Sequence, residues 1–288
     1  MLREFQIHQP DTVEAASTLL AEYGLEAAPY AGGTELLLIM KEGLVQYRHL
    51  VDLKTIPGLN DLGLEGEALV IGPLATHRQL ERSALLRQHL PVLAELEAGI
   101  ANARVRAAGT LGGNLCFAEP HSDPATFLMA WGASLVLGSA AGRRELPVED
   151  FFWDVLQTAR EPEEILTAVR LPLRPTTVRC SYQRFRLHER PTATVAAVLE
   201  LQDGVIASAR LALGGVSPVP RRASEAEAVL RDQPLDEEVF AAAAAEAGRA
   251  ADPVSDIYGS AEYKRHLVAV LTRRALEAAV DHPAGEIV

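Results

Sequence analysis

Two stretches of the chain pair glycines beside a threonine: Ala31-Gly32-Gly33-Thr34-Glu35-Leu36 and Gly109-Thr110-Leu111-Gly112-Gly113-Asn114. Paired glycines can turn successive backbone N–H groups toward one concavity, and the missing Cβ lets an anion come close. Thr34 adds a hydroxyl donor, and a helical stretch follows it, whose N-terminus favours an anion. The second stretch repeats the grammar, with Thr110 before the glycines and the Asn114 amide after them. Each stretch alone reads first as a tight turn. Together they suit a pyrophosphate, whose acceptor oxygens two loops from different domains could satisfy with backbone donors and little Lys or Arg.

A third stretch, Glu119-Pro120-His121-Ser122-Asp123-Pro124, follows the second pair of glycines. Asp123 could cap the helix ATFLMAW, or accept a hydrogen bond from the ribose or ring of a cofactor. His121 as a general base would want a carboxylate partner, and spacing offers none. Cys116 reads as a small packed residue before it reads as a nucleophile. Other chemistries lack their patterns. No GxGxxG follows a strand, no Walker A loop occurs, and His188-Glu189 does not open an HExxH. Ser134 and Ser139 sit in no GxSxG. Cys116 and Cys180, the two cysteines, form no CxxC and no metal or cluster spacing, so a disulfide framework is excluded and a reducing cytoplasm is expected.

Three segments must position these residues. Residues 1–57 read β-α-β-α-β: EFQIHQP, a helix over TVEAASTLLAEY capped by Asp11 or Thr12 and ended by Gly24, a strand at AAPY, a helix after the first glycines, and a strand in HLVDLKTIP. Residues 58–177 read as interleaved short elements. They are a strand in ALVIGPLATH, helix broken near Pro91, the second glycines, a helix-to-strand passage in ATFLMAWGASLVLGS, and a strand in EEILTAVRLPL. Residues 178–288 begin with three antiparallel strands, joined in part by the hairpin turn QDGV, and end in helices. The fold class expected is α+β.

Composition narrows the function. The 288 residues are 48% hydrophobic and 23% charged, as in ordinary globular proteins, with a net charge of −12. Nucleic acid and anionic membrane surfaces both call for a cationic footprint, so neither partner is expected. No apolar run approaches the ~20 residues of a spanning helix. The opening MLREFQIHQP lacks the apolar core of a signal peptide. Lys264, Arg265, Arg273 and Arg274 read as a solvated or partner-facing side of the last helix.

AGGTELLLIMK at 31–41 and AGTLGGN at 108–114 resemble the two flavin-binding signatures of the FAD-binding medium subunit of molybdenum hydroxylases. That family includes flavoprotein subunits of carbon monoxide dehydrogenase and bacterial xanthine dehydrogenase. HLVDLKTIPGL, LVIGPLATHRQL, EEILTAVRLP, LALGGVSPVPRRASEAE and SAEYKRHLVAVLTRRAL are similar to stretches of that subunit in the same order, so the resemblance covers nearly the whole chain.

The resemblance implies a two-lobed vanillyl-alcohol-oxidase-type FAD domain, lobe 1 at 1–57 and lobe 2 at 58–177. A C-terminal domain at 178–288, with a three-stranded antiparallel sheet and a helical bundle, would follow. It implies FAD contacts at Pro29, Tyr30, Ala31, Gly32, Gly33, Thr34, Glu35 and Leu36, and at Thr110, Leu111, Gly112, Gly113 and Asn114. Asp123, Leu166 and Arg184 match further flavin-contacting positions, Arg184 where the family usually has Lys. No catalytic acid–base residue and no metal ligand is expected in this chain. The implied partners are a small [2Fe-2S] subunit and a large molybdopterin subunit, in a dimer of heterotrimers. The implied acceptor is NAD, a quinone or oxygen. Glu189-Arg190-Pro191-Thr192 departs from the family near the flavin ring, and no Cys-rich insertion lies between Asn114 and Asp123. A self-contained flavoenzyme of the same superfamily and a scaffold protein are the alternative readings.

Overall fold

The structure is a computed structural model that describes residues 2–187 and 189–281. His188, read above as outside any HExxH, and the last residues of the third segment, 282–288, lie outside the described residues.

The first segment folds as its periodicity predicts: β1 (Gln6–His8), α1 (Val13–Tyr23), β2 (Ala27–Tyr30), α2 (Leu36–Lys41) and β3 (His49–Asp52). Thr12 is the cap of α1, its Oγ1 accepting from Ala15 N at 3.1 Å. Val13, Ala16, Ser17 and Leu20 form the buried stripe of α1, and Gly24 ends the helix at φ 49°. The three strands are parallel in the order β1-β3-β2. Pairing ends at Asp52, and a short 3₁₀ turn occupies Leu53–Thr55, so the third strand is shorter than HLVDLKTIP suggested.

The second segment opens with β4 (Leu62–Glu65) and β5 (Ala68–Ile71), then α3 (His77–Arg82), α4 (Ala84–His89) and α5 (Pro91–Ala98). The helical stretch expected to break near Pro91 breaks twice. Ser83 ends α3 and caps α4, accepting from Leu86 N at 3.2 Å, and Leu90 leaves helical geometry before Pro91 starts α5. Next come α6 (Ala103–Ala108), α7 (Leu111–Phe117), α8 (Asp123–Trp131), β6 (Ser134–Ser139), β7 (Gly142–Pro147), the small pair β8 (Phe152–Asp154) and β9 (Gln157–Thr158), and β10 (Ile165–Pro172). The sheet is antiparallel in the order β4-β5-β10-β6-β7.

The third segment contains β11 (Val178–Phe185), β12 (Ala193–Gln202) and β13 (Val205–Gly214), then β14 (Arg221–Arg222), α9 (Ser224–Leu230), β15 (Gln233–Pro234), α10 (Glu237–Ala250) and α11 (Ala261–Asp281). The QDGV hairpin forms, with Asp203 and Gly204 both at positive φ. The sheet has five strands, not the three expected: β14 and β15 both pair with β13. Each is two residues long, too short to show an alternation, and Pro234 argues against a strand by sequence.

β12 explains the apolar run at 193–199, because both of its faces are buried. Val195, Ala197 and Leu199 meet Phe240, Ala243, Leu267 and Leu271 on the helical side. Ala196 and Val198 join Phe127 and Trp131 of α8 in the core of the second segment. The second and third segments therefore share one core, while the first packs Ala16, Val51 and Leu53 in a smaller cluster with Leu59, Leu74 and Ile165 of the second, and Leu50 and Met40 in another.

One charged residue departs from its expected exposure. Arg265, Arg273 and Arg274 are exposed, but Lys264 is buried at 1% exposure. Its Nζ donates to Asp256 Oδ2 at 2.7 Å and to the Val254 carbonyl at 3.1 Å. The charge faces the loop before α11, which helical periodicity cannot reveal. No helix among the described residues is long and apolar enough to cross a membrane.

Candidate functional site

The two glycine stretches meet. Thr76 bridges Thr110, Leu111 N donates to the Ala75 carbonyl at 3.0 Å, and Gly112 N donates to the Pro73 carbonyl at 2.8 Å. This fixes the second stretch against the segment leading into α3. A Cβ on Gly32 would overlap the Ala108 carbonyl, so the first stretch lies directly on the residues before the second. Gly112 is equally confined by Pro73. Gly33 is held at φ 71°, a conformation that favours glycine, and a Cβ there would also lie 2.6 Å from the Tyr30 ring. Gly113 differs. A Cβ there would meet Thr110 Oγ1 at 2.9 Å and otherwise only Ala31 Cβ at 4.0 Å.

Beside these loops opens a cleft of about 630 Å³, within the ~300–1,000 Å³ of small-molecule and cofactor sites. Thirteen of the sixteen residues singled out in the sequence line it: Pro29, Ala31 to Leu36, Thr110, Gly112, Gly113, Asn114, Asp123 and Leu166. The others stand behind its wall. Leu111 is fully buried in the core of the second segment. Tyr30 supports Lys54, whose Nζ sits 3.7 Å above the ring and donates to the Ala31 carbonyl at 3.0 Å. Arg184 donates from Nη1 to Asp123 Oδ2 at 3.2 Å. The second double glycine is not a loop before a helix: Gly112 and Gly113 lie in the first turn of α7, with Thr110 Oγ1 accepting from Gly113 N at 3.1 Å. Gly109 supplies the extended approach.

Asp123 begins α8 but does not cap it, and Ser122 at the N-cap makes no side-chain cap bond. The Asp123 carboxylate turns instead toward β11, where Tyr182 Oη donates to Oδ1 at 2.5 Å and Arg184 to Oδ2. Burial raises the Asp123 pKa, with Arg184 and Tyr182 pulling the other way. Burial and the neighbouring carboxylate push the Tyr182 phenol well above its ordinary value.

His121 has the carboxylate partner that spacing did not reveal. Its Nδ1 lies 2.9 Å from Glu119 Oε1, two positions earlier, and its backbone N donates to Glu119 Oε2 at 3.0 Å. The tight turn at Pro120 brings the pair together. The imidazole packs on Tyr258 at 4.6 Å between ring centroids. His121 Nε2 is buried without a hydrogen-bond partner among the described residues. Burial opposes the Glu119 charge, but His121 and Arg190 outweigh it and lower its pKa. Arg190 binds Glu119 through Nη1 at 2.9 Å and reaches Glu35 through Nη2 at 3.3 Å. Glu35 is raised by burial and by Glu119, with Arg190 opposing.

The cleft also has lining residues that the sequence did not single out, His77, Arg160 and Ile100 among them. His77, at the start of α3, pairs through Nδ1 with Glu97 Oε2 at 2.6 Å. Arg160 anchors Nη1 on the carbonyls of Glu161, Pro162 and Glu164, at 2.7–3.0 Å. Ile100, before α6, adds apolar wall. None lies in a recurring pattern, and each reaches the cleft only through tertiary packing. Cys116 lines the cleft, but burial raises its thiol pKa against the pull of Arg160, which suits packing and not attack. Among the described residues no group of three His, Cys, Asp or Glu could hold a metal ion.

Residues 3–174 match the family described as the FAD binding domain in molybdopterin dehydrogenase, and residues 182–279 match the CO dehydrogenase flavoprotein C-terminal domain. The chain belongs to this flavoprotein family. The medium chain of carbon monoxide dehydrogenase from Afipia carboxidovorans is 35% identical over 277 residues, 96% of each protein. The nicotine 6-hydroxylase medium subunit of Paenarthrobacter nicotinovorans is 34% identical, over 93% of this chain and 94% of its own length. Among solved structures, carbon monoxide dehydrogenase from Hydrogenophaga pseudoflava superimposes with a TM-score of 0.96 at 33% identity, covering 99% of this chain and all of the matched one. The family resemblance read from the sequence holds across both matched regions. FAD is the family's cofactor, and the residues present fit it. The cleft has the volume, Glu35 at the N-cap of α2 makes no side-chain bond to the first turn, and His121 offers an unpartnered ring nitrogen.

Proposed function

We propose that the chain is the FAD-holding, electron-transferring subunit of a molybdenum hydroxylase. The observation that carries this is the meeting of both glycine stretches on one cleft that also holds Asp123 and Leu166. The flavin supplies redox chemistry that takes in electrons from one-electron centres and hands them to a two-electron acceptor. The chain's own residues bind and orient. Ala31 to Leu36 give backbone donors for the diphosphate, and Gly112 and Gly113, whose N–H groups are already bonded to Pro73 and Thr110, give a surface without Cβ atoms beside it. Asp123 is kept in place by Tyr182 and Arg184 as an acceptor for a ribose or ring donor. Leu166 on β10 gives an apolar wall. Arg190 ties the segment before β12 to Glu35 and Glu119, restricting access from that side.

The finer parts of the reading follow from the family. Residues 1–57 and 58–177 are taken as the two lobes of a vanillyl-alcohol-oxidase-type flavin domain, with 178–288 as the C-terminal domain. Electrons would arrive from a small [2Fe-2S] subunit and, before it, from a large molybdopterin subunit. The assembly would be a dimer of heterotrimers in the cytoplasm, and NAD, a quinone or oxygen the acceptor. Relatives named as the medium chain of carbon monoxide dehydrogenase, the medium subunit of nicotine 6-hydroxylase and the FAD-binding subunit of xanthine dehydrogenase support this division of labour.

The test is flavin content. The full chain, purified alone and with its co-expressed partners, should release FAD and not FMN, near one per chain. Gly113→Val should abolish this without unfolding the protein. An assembled complex without flavin would refute the reading, and substrate turnover by this chain alone would favour the self-contained flavoenzyme.

A further inference from the structure

We propose that His77 is a hydrogen-bond donor to the diphosphate of the bound dinucleotide, with the buried carboxylate of Glu97 occupying its other ring nitrogen. The inference rests on the flavin reading above and adds a binding residue to it.

The His77 side chain is 4% exposed and that of Glu97 is fully enclosed. Nδ1 lies 2.6 Å from Glu97 Oε2, and Glu97 Oε1 has no partner among the described residues. With Nδ1 taken by Glu97, Nε2 is the ring nitrogen left to meet a ligand. A phosphate oxygen only accepts, so the bond it can form there is with a hydrogen on Nε2.

The ring edge formed by Cδ2 and Nε2 is turned toward the glycine loops. A Cβ on Gly109 would lie 3.1 Å from His77 Cδ2 and 3.4 Å from Thr34 Oγ1. His77 N donates to the Gly109 carbonyl at 3.0 Å, so the residue is fixed to the second loop, and it lines the cleft. The donor therefore stands where the two loops come together. It gives an acidic chain one side-chain donor for phosphate without a Lys or Arg at that point.

The test uses the full-length chain with FAD, ADP and riboflavin as ligands. ADP keeps the diphosphate and riboflavin lacks it. His77→Leu should weaken FAD and ADP about tenfold or more, the range for a hydrogen bond to a charged group. It should leave riboflavin within about twofold. His77→Gln, which restores an N–H, should recover most of the loss. A second measurement needs no folded variant. In wild-type chain with ¹⁵N-labelled histidine, FAD and ADP should move one Nε2 resonance that riboflavin leaves alone. Unchanged FAD affinity in a folded His77→Leu, equal losses for all three ligands, or no responding histidine resonance would overturn the proposal. If the wild-type chain takes up no FAD, the flavin reading falls and this inference with it. If it does and His77→Leu does too, the inference alone fails.

Discussion

Arg190 spans the cleft to Glu35: one guanidinium nitrogen lies 3.3 Å from the Glu35 carboxylate while another holds Glu119 at 2.9 Å. The bridge links the strand connection before β12 to the first glycine stretch. Arg190 and Glu35 are both over a third exposed, so the pair contributes under ~1 kcal/mol to global stability. Its effect should be on access. Arg190→Ala should speed FAD release about three- to tenfold, an effect of ~1 kcal/mol, and leave thermal unfolding nearly unchanged. Stopped-flow recovery of flavin fluorescence would measure it.

The glycines should separate by function. Gly32 has no room for a methyl because the Ala108 carbonyl is in the way, so Gly32→Ala should cost ~2 kcal/mol or more. Gly113→Ala disturbs the Thr110 cap, worth ~1 kcal/mol, but gains about as much helix propensity. Its stability should stay near wild type while FAD affinity falls. Urea unfolding together with flavin titration distinguishes the two.

Tyr182→Phe removes the hydroxyl that donates to Asp123 at 2.5 Å, at a cost of ~1–3 kcal/mol. The pH dependence has a definite sign. Burial, only partly offset by Arg184 and Tyr182, holds the folded pKa of Asp123 above its unfolded value of 3.8. The folded state therefore binds the proton more tightly. The stability this adds is complete below 3.8 and disappears as pH rises through the folded value. Measured against Asp123→Asn, wild-type stability should fall over that interval. In Tyr182→Phe, which loses one of the two opposing contacts, the fall should extend to higher pH.

Lys264→Met should also destabilise, by ~1–3 kcal/mol. It leaves Asp256 and the Val254 carbonyl without their buried donor, and Asp256 is partly solvated, which lowers the cost below that of a fully buried pair. The loop that Lys264 holds carries Tyr258, which packs on His121. Hydrogen exchange in residues 252–260 should rise in the variant. An unchanged rate would show that the loop stands without Lys264.

The first segment was legible because its signals are local: a Thr12 cap, a stripe at helical spacing and a closing Gly24. The QDGV hairpin was legible for the same reason, since two residues at positive φ select their own types. The order β4-β5-β10-β6-β7 was not, because β10 enters between β5 and β6 from far along the chain and leaves no trace in periodicity. The site shows the same divide. The glycine stretches and Asp123 stand in short patterns, and the structure brings them to one cleft. His77 and Glu97 sit on separate helices, and Arg160 is held by the carbonyls of its own turn, so nothing in their spacing pointed at the cleft. Lys264 reads as a solvated charge until the loop opposite it is known.

The unequal division of the core has a consequence for unfolding. The first segment is held by small clusters, one of which it shares with Leu59, Leu74 and Ile165 of the second, whereas the second and third share a continuous interior. Without ligand, the weaker body should let go first, so denaturation of the bare chain should show two transitions. A dinucleotide held between the two glycine stretches, as proposed above, would bind only when both bodies are intact. Saturating FAD should merge the transitions into one, at higher denaturant, so that the cofactor serves as the structural fastener of the polypeptide that carries it.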